Sequence, residues 1–476
     1  MRAIRHGLGR DDLSALVAGG AATVLVLLAI QHSGTKLGAG VSLGLIAFAG
    51  LVAAWLFAPH IVVGVSIPLF ALLPAAKVFV SGSLGPVKDA VTLAAGVAVL
   101  VTVFRRHRRP DGTHVDSLLY WLILALGGLY LVNLGGSIAG GGHGIAWAQG
   151  FRLVCEPLIL LLAGLTLPNP RRSLDVAVAS LIGTGVGVAL YGLYQQHIGA
   201  AGLVGMGYSY RSEVRTIGSL LRSFGSLDDP FTYAAFLFLS LGTVIFWMRR
   251  GLLAFSCATV IAFGIAVSFV RTAAVISVAL IAIWIARERR AVLALILLAV
   301  SACAALTLLF AQAGASETHT VQAGPNTYIT LNGRTTVWKT IFRNPAQLPF
   351  GVGVGKVGTA AQRASESISG GRASNNQASH QAVDSAYFAT VADIGLLGLV
   401  VVLALFTRLI VLALAGTRAA VGSNAGWLAL ALLSTLLIDA ITRESFNGFP
   451  TAYIGLLVVG LAIARTSQAT TRPFVD

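Results

Sequence analysis

Long apolar stretches separated by short polar connections recur along the chain, beginning near residue 13. Each runs for roughly 15 to 25 residues, and about 20 residues of helix are needed to cross the hydrocarbon core of a bilayer. The pattern predicts an all-α, polytopic membrane protein of about 12–14 transmembrane helices, with residues 1–476 forming a single integral membrane domain. The first stretch, residues 14–30, is followed by many more, so we expect it to be retained and not cleaved as a signal peptide.

Composition supports the membrane class. Of the 476 residues, 56% are apolar and 11% are charged, and the mean hydropathy is +0.83. A soluble domain carries about 25% charged residues. Cys155, Cys257 and Cys303 lie within apolar stretches, and the nine histidines have no metal-ligand spacing. We therefore expect packing cysteines and neither a metal nor another cofactor.

The formal net charge of +15 is explained in part by topology. Basic residues cluster in alternate short connections, which the positive-inside rule places in the cytoplasm together with both termini. DNA binding requires a basic domain that the sequence lacks, so nucleic acid is not an expected partner. The predicted cytoplasmic set comprises Arg2, Arg5, Arg10, Arg105, Arg106, Arg108, Arg109, Arg171, Arg172, Arg249, Arg250, Arg287, Arg289, Arg290, Arg408, Arg418, Arg465 and Arg472.

The other basic residues fall on outer connections, where the positive-inside rule gives no reason for them. They favour an anionic partner such as phosphate or diphosphate at the outer face. Two outer loops are predicted, residues 198–229 and a larger one at residues 312–383. Within the larger loop, Val337, Trp338 and Ile341 have helical spacing and predict a short amphipathic helix at the interface, anchored by Trp338.

Four arginines of the outer side are candidates for anion binding. Arg271 interrupts apolar sequence between two predicted spans, where it either binds a ligand or extends its charged end to the interface. Arg211, Arg215 and Arg222 lie in one outer segment, and a guanidinium group matches two phosphate oxygens at once. These three side chains would equally suit anionic lipid headgroups, so both alternatives stay open.

Two short motifs suggest chemistry but favour a structural role. Asp228-Asp229-Pro230 fits the start of a helix, with Asp229 as N-cap and Pro230 at the first helical position. Residues 350–356, Phe-Gly-Val-Gly-Val-Gly-Lys, fail the phosphate-loop template because Val357 stands where Ser or Thr is required. We interpret them as a backbone turn that approaches the membrane or a ligand closely.

Asp384 stands where the larger outer loop enters a helix. It fits either an N-cap or a general base at the outer membrane surface, with Tyr387 one turn below. His380, four residues upstream, is the competing base. Asp393 is an acid within the membrane or at its edge, and such residues are rarely without function.

Several opposite charges are spaced as local ion pairs, to which we assign a structural role by default. Two of the pairs are four residues apart, and the third joins adjacent residues. The pairs are Arg152 with Glu156, Asp439 with Arg443, and Lys88 with Asp89.

Four short motifs lie between residues 211 and 399. They are Arg222-Ser-Phe-Gly with Asp228-Asp229-Pro230; Ser268-Phe269-Val270-Arg271; Asn332-Gly333-Arg334 with Trp338, Pro349 and Gly351-Val352-Gly353; and Asp384-Ser385-Ala386-Tyr387 with Gly395 and Gly398. Together they resemble the O-antigen ligase and O-antigen polymerase superfamily, multispanning transferases that act on undecaprenyl-diphosphate-linked glycans. At the last motif, Asp384 and Ser385 stand where the ligases have a catalytic histidine and an asparagine, which favours a polymerase or a relative that acts on exopolysaccharide or another cell-wall glycan.

The resemblance implies a membrane glycosyltransferase that polymerises or ligates lipid-diphosphate-linked oligosaccharide on the outer face of the cytoplasmic membrane. The implied reaction is metal-independent and inverting. Its donor is an undecaprenyl-diphosphate-linked glycan, its acceptor is a glycan or a lipid-linked glycan, and membrane lipid surrounds the chain. The expected catalytic residues are Asp384, Arg334 and Arg271, and the expected substrate contacts are Arg222, Arg215, Arg211, Lys88, Tyr387, Trp338, His380 and Arg443.

A lipid-linked glycan flippase or other secondary transporter is the alternative function. About fourteen helices suit such a protein. A transporter is expected to carry charges near the bilayer midplane and often has repeated halves. Here the charges lie at the predicted outer edge and the larger outer loop has no counterpart, so the transferase is favoured.

Overall fold

The described part of the chain is predominantly helical in the computed structural model. The described residues are 37–107, 116–139, 144–209, 215–217, 220–249, 251–288, 348–356, 358, 385–418 and 423–471. They form twelve α-helices, a short 3₁₀ turn at Gly82–Leu84 and one two-stranded antiparallel hairpin. Eight of these helices are long and apolar enough to cross a bilayer, which confirms the prediction of an all-α polytopic membrane protein.

In chain order, the described helices are α1 Leu37–Phe57, α2 Pro59–Phe79, α3 Pro86–His107, α4 Ser117–Ala139, α5 Gly144–Thr166, α6 Pro170–Gly205, α7 Pro230–Trp247, α8 Leu252–Ala266, α9 Thr272–Glu288, α10 Ala386–Thr417, α11 Ser423–Thr442 and α12 Thr451–Thr471, and the hairpin pairs β1 Arg215–Ile217 with β2 Leu220–Arg222. Proline begins α2, α3, α6 and α7. A first-turn N–H has no partner within its helix, so proline loses no hydrogen bond there.

Small residues bring α5 and α12 into backbone contact. A Cβ added to Gly164 would lie 2.5 Å from the carbonyl oxygen of Leu457, and one added to Gly460 would lie 2.5 Å from that of Leu161. Helices in lipid associate through close packing of this kind because burial of apolar surface gives little driving force there. The contact fixes α12, whose first turn borders the candidate site.

Basic residues of the predicted cytoplasmic connections form polar contacts between neighbouring helices. Arg287 donates from Nη2 to Oδ1 of Asn424 at 3.0 Å, and Arg465 donates from Nη1 to Oδ1 of Asp175 at 2.9 Å. Arg408 donates from Nε to Oδ2 of Asp116 at 3.1 Å, and this hydrogen bond lowers the pKa of the Asp116 carboxyl group. These arginines are therefore committed to contacts away from the candidate site.

Helix α10 is sharply bent at Gly395, whose φ of +76° favours glycine. The ring of Phe446 contacts Tyr387 edge-to-face at 5.2 Å and stacks on Phe406 at 4.6 Å. In a straight helix, Tyr387 and Phe406 would be about 28 Å apart, at about 1.5 Å per residue. The first segment of α10, residues 386–394, therefore folds back beside the second, residues 396–417.

We expect Gly395→Ala to destabilise the protein by on the order of 1–3 kcal/mol, because alanine is strained at this φ. Its Cβ would also overlap the carbonyl group of Pro349. Gly187→Ala is the matched control, since no atom lies within 4 Å of its added Cβ. The midpoint of thermal unfolding in detergent should fall for the first variant and not for the second. Equal midpoints would contradict the bend.

Candidate active site

Arg222, at the end of β2, contacts the turn that precedes Arg271. It donates from Nε to the carbonyl oxygen of Ser268 at 3.2 Å and from Nη2 to that of Phe269 at 3.4 Å. Its guanidinium carbon also lies 4.6 Å from the ring centroid of Phe231. Arg222 thus joins the hairpin, the start of α7 and the α8–α9 turn, and two of the predicted arginines are brought to one place.

Two glutamines of α6 hold the turn that follows Arg222. Gln195 accepts from the backbone N–H of Phe224 at 3.0 Å and of Gly225 at 2.8 Å. Gln196 donates to the carbonyl oxygen of Leu221 at 2.8 Å. Sequence reasoning missed both residues, although two adjacent amides in an otherwise apolar helix are a signal, since buried polar groups require partners.

The start of α7 agrees with the sequence. Asp229 accepts at Oδ1 from the backbone N–H of Phe231 at 2.8 Å and of Thr232 at 2.9 Å. Pro230 occupies the first helical position. The prediction that Asp229 is an N-cap is confirmed, and the cap fixes the helix on whose first turn Arg222 stacks.

The α8–α9 turn also contacts the end of α11. Arg271 is exposed, and the next side chain, Thr272, places its hydroxyl 3.3 Å from that of Thr442. Arg443 follows Thr442 and accepts at its carbonyl oxygen from the backbone N–H of Ala386 at 2.8 Å. Thr272 and Thr442, which are the neighbours of Arg271 and Arg443, are therefore in contact. The first residue of α10, Ala386, is hydrogen-bonded to Arg443 beside them.

The first turn of α10 is attached to α11. The hydroxyl of Ser385 donates to the carbonyl oxygen of Ala440 at 3.2 Å, and that of Tyr387 donates to the carbonyl oxygen of Leu437 at 2.9 Å. This fixes the residue directly after Asp384. The contact commits the one proton of Tyr387 to the protein, so a further bond from substrate would have to be accepted by its oxygen.

The glycine-rich turn packs on the bend of α10. Val352 donates from its backbone N–H to the carbonyl oxygen of Ala392 at 2.7 Å, and Gly355 donates to Oδ1 of Asp393 at 3.3 Å. Side chains at Gly351 or Gly355 would collide with backbone atoms of α10 or α5. The segment is a closely approaching backbone turn, as predicted, but what it approaches is the backbone of α10 and α5 and not the predicted membrane or ligand.

Asn133 of α4 clamps this turn to α10. Its Oδ1 accepts from the backbone N–H of Val354 at 3.0 Å, and its Nδ2 donates to the carbonyl oxygens of Asp393 at 3.2 Å and Phe350 at 3.4 Å. Sequence reasoning missed Asn133. A single asparagine in an apolar helix marks a polar contact, but its sequence does not say with which segment.

Lys88 lies in a buried charge network formed by α3, α5 and α12. Its Nζ donates to Oδ1 of Asp89 and Oε2 of Glu156 at 2.6 Å each, and to the hydroxyl of Tyr453 at 3.3 Å. Arg152 donates to Asp89 at 2.9 Å. An ammonium group has three donors, and all three are directed at protein partners. The predicted ion pairs are confirmed, and the geometry favours a structural role for Lys88.

Some of the predicted site residues lie within the described ranges, and others lie outside them. Arg443 and Asp439 form the predicted ion pair, with Nε and Oδ2 separated by 3.7 Å. The predicted contacts that lie outside the described residues are Asp384, Arg334, Trp338, His380, Arg211, the amphipathic helix of the larger outer loop and the side chain of Arg215. Their roles stay predictions.

The fold and the site define a multispanning membrane protein with arginines gathered near one set of helix ends. Residues 235–403 match the family described as O-antigen ligase. This match confirms the resemblance to the O-antigen ligase and polymerase superfamily, and it supports an O-antigen ligase-type membrane glycosyltransferase of polysaccharide biosynthesis at the level of the family. No protein of curated function matches the chain.

Proposed function

We propose that this chain transfers a glycan from a lipid diphosphate to a glycan acceptor at the outer face of the cytoplasmic membrane. The donor is an undecaprenyl-diphosphate-linked oligosaccharide. One observation carries the proposal: the family match spans the Arg271 turn and the bend of α10, and two arginines outside the match contact these places. Arg222 binds carbonyl groups of the Arg271 turn, and the carbonyl oxygen of Arg443 accepts from Ala386 at the start of α10. Arginine is the side chain best suited to a diphosphate because its donors form a fixed fork.

The proposed reaction is a displacement with inversion. The acceptor oxygen forms a bond to the anomeric carbon of the donor, and the bond between that carbon and the diphosphate oxygen breaks. The lipid diphosphate leaves with the electron pair, and Arg222, Arg271 and Arg334 stabilise its charge. Asp384 takes the proton of the acceptor hydroxyl. Each step requires only side chains of this chain, and neither a nucleotide nor a metal takes part.

A polymerase is favoured over a ligase because Asp384 and Ser385 replace the His-Asn pair of the ligases. The purified protein, given a synthetic lipid-diphosphate donor, should extend a lipid-linked glycan acceptor and release polyprenyl diphosphate in the presence of a chelator. Extension of a lipid-core oligosaccharide instead would reassign the chain as a ligase. Failure with both acceptors would contradict the proposed function.

The proposed orientation places both termini and the connection at residues 105–109 in the cytoplasm, and residues 312–383 outside, because basic connections are retained inside. A membrane-impermeant thiol reagent added to intact cells should label Ser374→Cys and should not label Thr113→Cys. Both proteins should be labelled after the membrane is permeabilised, which controls for reactivity. The opposite pattern in intact cells would overturn the orientation and the outer active site with it.

A flippase or other transporter is the second candidate, and the broken helices are the observation that favours it. Gly199 in α6 and Gly395 in α10 both have φ values, +67° and +76°, that interrupt the helix. Transporters often bind their substrates at such breaks. In this chain, however, the described break at Gly395 is filled by the glycine-rich turn and by Asn133, which supports the transferase.

A further inference from the structure

The end of α11 and the turn after it, residues 439–448, lie beyond the family match at 235–403 and beyond the four resembling motifs. The segment nevertheless borders the site on two sides. The carbonyl oxygen of Arg443 accepts from the backbone N–H of Ala386, and Thr442 contacts Thr272 beside Arg271. A group displayed by this segment is therefore placed between the arginine turn and the start of α10.

The guanidinium of Arg443 is oriented by a buried carboxylate. Oδ2 of Asp439 lies 3.7 Å from Nε of Arg443, one helical turn away, and the Asp439 side chain is 3% exposed. The hydroxyl of Ser445 donates to the same Oδ2 at 2.5 Å. Asp439 is thus held from both sides, by Arg443, which directly follows the end of α11, and by Ser445 of the following turn.

Within the described residues, this arrangement leaves one nitrogen of the guanidinium without an acceptor. Nη1 of Arg443 is buried and has no hydrogen-bond partner within the described part of the chain. Beside Nη2 stands Gly448, where an added Cβ would lie 3.2 Å from that nitrogen, so glycine keeps the space next to the guanidinium clear. A buried cationic N–H without an acceptor is unfavourable, and an anionic oxygen is the acceptor that satisfies it best.

We propose that Nη1 of Arg443 donates to a phosphoryl oxygen of the lipid diphosphate and that Asp439, steadied by Ser445, is the positioning residue for that guanidinium. The proposal rests on the proposed function and extends its anion site to a segment outside the matched family region. Asp439 does not touch the substrate. It fixes the orientation of the Arg443 guanidinium. That orientation in turn determines the selectivity for a diphosphate over a single phosphate.

The test measures binding of farnesyl diphosphate and farnesyl monophosphate to the purified protein by titration calorimetry in detergent. Arg443→Ala should weaken diphosphate binding by about tenfold or more, as expected for a lost charge-assisted hydrogen bond. Asp439→Asn keeps the oxygen that accepts from Ser445. This variant should weaken diphosphate binding by about threefold to tenfold. Arg465→Ala removes an arginine that pairs with Asp175 and should change nothing.

A double-mutant cycle separates positioning from a merely structural effect. If Asp439 acts through Arg443, Asp439→Asn should have no further effect on diphosphate binding in the Arg443→Ala protein. Additive losses, or wild-type affinity in Arg443→Ala, would overturn the inference. If Arg443→Ala does not purify as a folded protein, Arg443→Lys takes its place in the cycle. It keeps the charge without the fork, so the same weakening is expected, and wild-type affinity would again overturn the inference.

The inference and the proposed function fail in different ways. Loss of diphosphate binding in Arg271→Ala but not in Arg443→Ala would leave the transferase standing and remove Arg443 from its site. A wild-type protein that does not bind farnesyl diphosphate, or binds the monophosphate equally well, would contradict both.

Discussion

Arg271→Ala should lower glycan transfer by about 10²–10³-fold, the range seen when one donor is removed from an electrostatic site. Arg271 lies exposed at the α8–α9 turn, two residues after Phe269, the second of the residues whose carbonyl groups Arg222 binds. Its loss removes positive charge from the place where negative charge develops on the leaving diphosphate. Arg271→Lys should restore little, because an ammonium group cannot replace a bidentate fork. The measurement is product formed from a lipid-diphosphate donor at equal protein level.

Arg418→Ala is the matched control, because Arg418 is also exposed but follows the last residue of α10, away from the site. It should retain wild-type activity and the same yield after purification. Arg334→Ala is expected to behave as Arg271→Ala does, although Arg334 lies outside the described residues. Near-normal product from either variant would remove that arginine from the site.

Asp384→Asn should lower transfer by about 10²–10⁴-fold if Asp384 is the general base. Asparagine keeps the size and the capping oxygen but cannot accept the proton, so a residue that acts only as an N-cap would tolerate the change. The start of α10 is held in place without the Asp384 side chain, since Ser385 is hydrogen-bonded to Ala440 and Ala386 is hydrogen-bonded to Arg443. Loss of activity would therefore report on chemistry and not on the position of α10.

His380→Ala is measured beside it, because His380 is the competing base four residues upstream. An active Asp384→Asn protein with an inactive His380→Ala protein would transfer the role to the histidine. Two active variants would favour a reaction driven by the arginines without a base. We expect Asp384→Asn to be inactive and His380→Ala to remain active.

The membrane spans were predictable because hydropathy is local. The apolar runs at residues 230–248, 252–270 and 272–286 predict spans, and the helices α7, α8 and α9 form there, although of these three only α7 is among the eight that are long and apolar enough to cross a bilayer. The largest difference is the end of α8, which stops at Ala266 although the apolar run continues. Ser268 bonds back to the carbonyl oxygen of Ile265, and Phe269 has a φ of +51°, so a turn forms within apolar sequence.

Contacts between distant segments were not predictable in the same way. The ion pairs of Arg152 with Glu156 and of Asp439 with Arg443 follow from helical spacing, whereas the bonds from Lys88 to Glu156 and Tyr453 depend on how three helices pack. A charge in a sequence shows that a partner is needed without showing which one. Lys88 was assigned to substrate for this reason.

The glycine-rich turn shows the same division between local and distant information. Its glycines correctly predicted close approach of the backbone, since Gly351 and Gly355 have φ values of +79° and +77°. The partners, Ala392 and Asp393, lie some 40 residues further along the chain, beyond the larger outer loop, and no local pattern identifies them. The fold-back of α10 was missed because a single glycine in a long apolar helix gives only a weak signal.

Transfer measured in sealed proteoliposomes distinguishes a glycan transferase from a lipid-glycan transporter. The protein is reconstituted in one orientation, and an undecaprenyl-diphosphate-linked oligosaccharide with an acceptor is added from the side of residues 312–383. We expect a longer glycan and free undecaprenyl diphosphate, with inverted configuration at the new linkage and no donor moved to the lumen. Donor that reaches the lumen with its sugar–diphosphate bond intact, and with no new glycosidic bond, would rule out the proposed transfer and identify a transporter.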